Sequence, residues 1–336
     1  MNTSCKKAPN FFNIIIVRLA GFMIVAIIWL LWCSSLYTNS FFASGALVTG
    51  HCARCGVKHS LPTTDEAKHA ALDLRARMIE SGRIDVDELL LEGGDLFSRK
   101  NQNLDMDPLL AIDRLFERRG KMFGVLVCEV PVTDSDQHSG SRSPCDGGVV
   151  ILKAFAGKLG GQWNLPGWTP IIGRVPESLP EFRRLSAEVT EIFDKIDNVN
   201  ANRVAAGVAV NANFDVGEDA EKVRQLTKER ACLANLALEE VRRHQLVTNF
   251  RGETYPISAI FSKGPTKLPG GVGDCAAPKL LAEAARLGLR PTGIAEFFVG
   301  ATGGMSLSRE NGKFYDSCES RCEQIAGFML CGLPGV

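Results

Sequence analysis

The stretch that most restricts how this chain can fold lies near its C-terminus, between Gly271 and Gly332. It begins Gly-Val-Gly-Asp-Cys-Ala-Ala-Pro-Lys-Leu-Leu, continues through an Ala/Leu-rich run to Pro-Thr-Gly-Ile-Ala-Glu-Phe-Phe-Val-Gly, and closes on Phe-Tyr-Asp-Ser-Cys-Glu-Ser-Arg-Cys-Glu-Gln-Ile. Asp274 reads as a helix N-cap, which puts Cys275 at the first helical position and leaves Pro278 in the tolerated first turn. A thiol there meets unsatisfied backbone N–H groups and the positive end of the helix dipole, so its thiolate is favoured. Thr292 to Val299 reads as a strand, and Cys318 and Cys322, four residues apart, share one face if their segment is helical. Two helix starts on either side of one strand therefore carry three cysteines, which either hold a metal or are buried or disulfide-linked.

The other end of the chain is of a different kind. From Leu19 to Cys33 no polar residue intervenes, and Lys6 and Lys7 precede the run. This is the pattern of a signal peptide or signal anchor over residues 1–43, with residues 12–33 in the membrane if it is retained. It implies a membrane-anchored or secretory location, or an organelle. Overall, 38 basic side chains match 38 acidic ones. The leader holds three of the basic groups and no acid, so the remainder carries 35 against 38, a net of −3. A strongly electrostatic nucleic-acid grip normally shows a basic excess, and none is present.

Eleven cysteines spread irregularly over 336 residues do not form the framework of a small disulfide-rich protein. His51-Cys52-Ala-Arg-Cys55, with His59 four residues on, resembles half of a zinc site. No second Cys-x2-Cys or His pair follows at zinc-ribbon spacing, so the expectation there is a surface loop or, in a lumenal compartment, a local disulfide.

Periodicity predicts packing helices across a helical N-terminal region, residues 44–110. One run opens at Asp65-Glu66 and ends at Gly82, a second covers Val86 to Leu91, and a third runs from an Asp107 cap to Gly120. Lys121–Val130 and Val149–Ala156 predict an antiparallel strand pair. Helices over about 178–195 and 217–244 predict a helical hairpin, inserted at about 178–247, and Tyr255–Phe261 predicts another strand. Trp163 and Trp168 flank Asn-Leu-Pro-Gly in a loop that either folds over the sheet or stacks on bases.

Gly273-Asp-Cys-Ala-Ala-Pro-Lys-Leu-Leu281, Ala295-Glu-Phe297 and Phe314-Tyr315 with Cys318, Cys322 and Met329-Leu330 resemble the N-terminal extension of long RluA-type RNA pseudouridine synthases. Gly120-Lys-Met-Phe-Gly-Val-Leu126, Ala154-Phe-Ala-Gly-Lys-Leu159 and Leu165-Pro-Gly-Trp-Thr-Pro170 resemble it too, in the same order, so the likeness covers about residues 113–333. The synthase works through an aspartate in an Arg-Leu-Asp motif of a separate C-terminal domain. Asp113-Arg114-Leu115 has the wrong order, so no pseudouridine synthase activity is expected of these residues.

The layout is also similar to zinc-dependent nucleobase deaminases, whose signature is His/Cys-x-Glu with Pro-Cys-x-x-Cys. That resemblance implies an α/β domain over residues 111–336, with a three-layer deaminase-like sheet and flanking helices. Cys275 takes the first ligand position and Cys318 and Cys322 the second pair, spaced x3 rather than x2, while Ala277 stands where the catalytic glutamate belongs. Three expectations follow. The chain is a zinc-binding accessory module associated with RNA modification, contacting RNA or an RNA-modifying enzyme through Lys158, Lys279, Trp163 and Trp168. Alternatively it is a zinc-dependent deaminase in which Glu296 or Asp274 moves protons. In the third, it is a lumenal protein stabilised by disulfides.

Overall fold

Strand β3, Lys121–Glu129, lies at the centre of the protein because its side chains find apolar partners on both faces. The computed structural model describes residues 47–84, 108–117, 119–131, 148–205, 217–264, 268–303 and 308–335. β3 pairs antiparallel with β4, Val149–Phe155, on one side and with β7, Arg290–Val299, on the other, giving the order β4-β3-β7. The expected 121–130/149–156 pair is thus present, in the register Phe123 opposite Phe155.

Successive strand residues point to opposite faces. Phe123, Val125, Val127, Phe155, Ala295, Phe297 and Val299 go to one core, with helix α1, Asp65–Ser81. Leu126, Cys128, Ala154 and Ile294 go to the other, with helix α6, Ala276–Arg286, and helix α7, Glu323–Leu330. Helices therefore cover both faces of the sheet, which explains why its strands read as nearly continuous apolar runs. Gly124 makes room for α6: a Cβ there would stand 2.9 Å from the Ala276 Cβ.

Several elements differ from the sequence expectation. The region 44–110 is not simply helical, because Leu47–His51 (β1) and Lys58–Pro62 (β2) form an antiparallel hairpin ahead of α1. The hairpin packs into the same core as α6 and α7. α1 itself matches expectation, capped by the Thr64 hydroxyl accepting from the Ala67 N–H and stopped at Gly82 in a left-handed conformation.

The helix expected over 107–120 breaks into a 3₁₀ turn, Pro108–Leu110, and a short helix α2, Asp113–Glu117. Ile84 N–H donates to the Leu110 carbonyl and Ile112 N–H to Gly82, and these bonds draw the backbone into a bridge that competes with helix. The strand expected over 255–261 is β6, Thr254–Pro256, paired with β5, Leu246–Thr248, and followed by one helical turn, α5, Ile257–Ile260, which buries both isoleucines.

The two long helices, α3 (Pro180–Ala205) and α4 (Glu218–Arg243), pack against one another as expected. The second run, Val86 to Leu91, and the leader, residues 1–43, lie outside the described residues. Among the described residues no helix is long and apolar enough to cross a membrane.

β1 and α7 approach backbone to backbone. A Cβ on Gly327 would stand 2.3 Å from the His51 carbonyl carbon and 2.6 Å from the Cys52 nitrogen, and one on Gly50 would stand 2.4 Å from the Glu323 carbonyl oxygen. Gly327→Ala gains about 1 kcal/mol of helix propensity but drives a methyl into backbone that cannot rotate away. Overpacking of about 1–3 kcal/mol or more should win. We expect denaturant unfolding to show Gly327→Ala and Gly50→Ala each less stable by about 2 kcal/mol or more.

Candidate metal centre

The start of α6 is fixed by the end of β4. Gly271 and Gly273 turn the preceding loop with φ of 76° and 89°, and the Gly157 N–H donates to the Asp274 carbonyl at 2.8 Å. Lys279 donates from Nζ to the carbonyls of Phe155 (2.9 Å) and Gly157 (3.1 Å), tying the last turn of β4 to the helix. It is 1% exposed, so the expectation that it contacts RNA or a partner is corrected: its ammonium is used inside the fold. Burial lowers its pKa to about 8.

Asp274 does not cap α6. Its carbonyl is held by Gly157 outside the helix, and Cys275 takes the N-cap position with extended backbone, φ −69° and ψ 163°.

Cys318 and Cys322 do not lie on a regular helix either. They sit on the turn that leads into α7, where the Cys322 N–H donates to Cys318 Sγ at 3.4 Å and the two sulfur atoms are also 3.4 Å apart. Cys322 is the N-cap of α7. A turn serves as well as a helix here, since either brings the second thiol back beside the first. The sulfur atoms of Cys275, Cys318 and Cys322 all lie within 4.8 Å of one another.

Cys318 is held well below the ordinary thiol range because the Cys275 and Cys322 thiols both donate to it. Cys275 is raised by donating to Cys318, and Cys322 is raised by its bonds with Cys275 and Cys318 and by burial. Three convergent cysteine sulfurs are a soft donor set suited to zinc. Cys322 is buried while Cys275 and Cys318 keep partial exposure, so the group can be reached from solvent.

Glu296 stands on β7 on the face that carries Ile294, toward α6. It is 5% exposed, and its Oε1 accepts from the Ala277 N–H at 3.1 Å. The carboxylate that the sequence lacks at position 277 is thus supplied to the same point of the helix from the neighbouring strand. Burial raises the Glu296 pKa to about 7, and the negative charge of Cys318 adds to the shift.

Asp274 is also raised by burial, offset by Lys279 and Arg321. It faces elsewhere. Asp274 Oδ2 and Arg321 Nη1 flank Gly271, and the residue lines a cavity of about 180 Å³ with Trp163, Arg174 and Arg242.

Trp168 is 6% exposed, its ring 5.8 Å from Phe123 and 5.5 Å from Phe155, so its assignment as a partner contact is corrected to a core role. Trp163 and Lys158 remain nearer the surface, both bonded to Glu177. The Cys52/Cys55 loop was expected to be a surface loop or disulfide. Instead Cys52, Cys55 and His59 converge with Cys331, while His51 is exposed and stands apart. Cys331, at the far end of the chain, carried no local signal that could have joined it to them. Comparison with protein-family models, curated proteins and solved structures finds no match to this chain.

Because Glu296 favours its protonated form when folded, metal-free protein loses stability as pH rises from about 4.5 to about 7. Glu296→Gln keeps an acceptor for Ala277 and cannot ionise. With chelator present, its unfolding temperature should match wild type near the lower pH and exceed it above the upper one, by roughly 3 kcal/mol of stability. Glu296→Ala, which leaves the Ala277 N–H buried without an acceptor, should cost about 1–3 kcal/mol at low pH.

Proposed function

We propose that this protein is a zinc-dependent hydrolytic deaminase acting on the exocyclic amine of a nucleobase in RNA. The observation that carries the reading is the Glu296 carboxylate bonded at the Ala277 N–H, beside three convergent thiols. Three protein ligands with a fourth position left over is the pattern of a catalytic rather than a structural zinc site. Helices on both faces of the sheet, with Cys275 and Cys322 at two helix starts, support a three-layer deaminase-like layout. At the start of α7 the Cys322 N–H donates to Cys318 Sγ, which favours the thiolate there.

Cys275, Cys318 and Cys322 would hold the zinc, which would supply Lewis acidity and an activated water. Glu296 would act as the proton carrier of the hydrolysis, accepting a proton and returning one to the departing amine nitrogen. A C–O bond forms, the C–N bond breaks and ammonia leaves. A pKa near neutrality suits a group that must both accept and donate a proton. The cavity lined by Asp274, Trp163, Arg174 and Arg242 adjoins Cys275 in sequence and offers a ring face and cationic groups to an incoming nucleotide. RNA as the substrate class rests on the resemblance to the pseudouridine synthase extension. The accessory-module reading is weakened by Lys279 and Trp168, two of its four contact residues, being buried.

Zinc-loaded protein should release ammonia from at least one of cytidine, adenosine or single-stranded RNA containing these bases. Glu296→Gln should lower the rate by about 10²–10⁴-fold with zinc content unchanged. Failure to turn over every substrate tried would end the enzyme reading.

A further inference from the structure

We propose that the protein holds a second, closed zinc ion, bound by Cys52, Cys55, His59 and Cys331, whose role is structural. One ligand atom from each residue lies within 4.8 Å of all the others, and Cys55 Sγ is 3.1 Å from His59 Nε2. A tetrahedral ion with Zn–S near 2.3 Å spaces its sulfur ligands by roughly 3.7 Å, so the four donors need only small adjustments to close around it. Three cysteines and one histidine complete the coordination shell and leave no position for substrate, in contrast to the three-thiol group around Cys275.

The surroundings are built for this. Cys52 and Cys331 are 0% and 1% exposed and His59 is 6% exposed, so three of the four donors are withdrawn from water, while Cys55 is half-buried against the same core. The Cys52-to-Cys55 turn is formed by backbone bonds, Cys52 N–H to the Val57 carbonyl at 2.9 Å and Gly56 N–H to the Cys52 carbonyl at 2.9 Å. Gly56 has φ 74° in that turn. His59 arrives from β2, its carbonyl accepting from the Thr49 hydroxyl at 3.0 Å. The tip of the loop is tied down by Arg54, which lies 4.2 Å over the Tyr255 ring and pairs with Glu253. Cys331 follows the last residue of α7, and Gly332 turns the chain away with φ 97°, where a Cβ would stand 2.5 Å from Arg251.

The ion would join the first hairpin to the last helix. α7 then has a ligand at each end, Cys322 for the centre around Cys275 and Cys331 for the closed one, separated by about 13 Å at 1.5 Å per residue. Fixing the far end of this short helix holds Cys322 in place at the near end.

The test is zinc content of the full chain after gel filtration, with the visible spectrum of the cobalt(II)-substituted protein as a second readout. Two zinc ions per chain are expected in wild type and one in Cys331→Ser and in His59→Ala. His59→Cys should retain both ions, with cobalt bands altered by exchanging imidazole for thiolate. The His59 variants keep every native cysteine, so they decide the matter even if Cys331→Ser fails to fold. Wild-type zinc content persisting in both Cys331→Ser and His59→Ala, or a single wild-type ion lost only in Cys318→Ser, would overturn the proposal. Zinc lost in His59→Ala but unchanged in Cys318→Ser would uphold this site and remove the metal from the proposed catalytic one, so the two readings fail separately.

Discussion

The backbone contact between Gly50 on β1 and Gly327 on α7 is the constraint on which both cysteine groups depend. No side chain separates strand from helix at that point. A strand and a helix that normally sit about 10 Å apart are drawn close enough for the hairpin loop to reach the end of α7. The same approach sets the depth at which α7 lies in the core, where Ile325, Phe328 and Met329 are buried. Because α7 starts at Cys322 and is followed by Cys331, its placement positions a thiol in each group.

Around that frame two buried ionisable side chains, Lys279 and Glu296, are each given hydrogen-bond partners. Lys279 gives its protons to two carbonyls at the end of β4, and Glu296 takes one from the first turn of α6. Both therefore brace the helix that carries Cys275. Desolvation of an ionised group costs several kcal/mol, more than one hydrogen bond of about 1 kcal/mol returns. Glu296 meets that cost by favouring its protonated form, since burial raises its pKa to about 7. Lys279 has the simpler account, since the carbonyls it satisfies would otherwise face apolar core.

Much of the frame was legible from pattern. The strands at 121–129, 149–155 and 290–299, the helix after Thr64 and the pair of long helices follow from period, caps and breakers, which are local. The pattern misled where a short apolar segment had a stronger non-local partner. At 108–117 the hydrogen bonds to Gly82 and Ile84 displaced helix, and at 257–260 burial of two isoleucines displaced strand. Trp168 and Lys279 read as contact residues because both types suit nucleic acid, yet both are enclosed by strands far away in sequence.

The candidate site divides in the same way. Spacing along one chain places Cys275 at the start of a helix, puts Cys318 and Cys322 four residues apart where one turn can bring them together, and leaves position 277 without a carboxylate. Long-range packing is what puts Glu296 beside Ala277 and brings Cys331 to the group begun by Cys52, Cys55 and His59. The reason is that these neighbours are set by strand register and by how closely α7 packs on β1. Both are contacts between distant segments, whose distances no local spacing encodes.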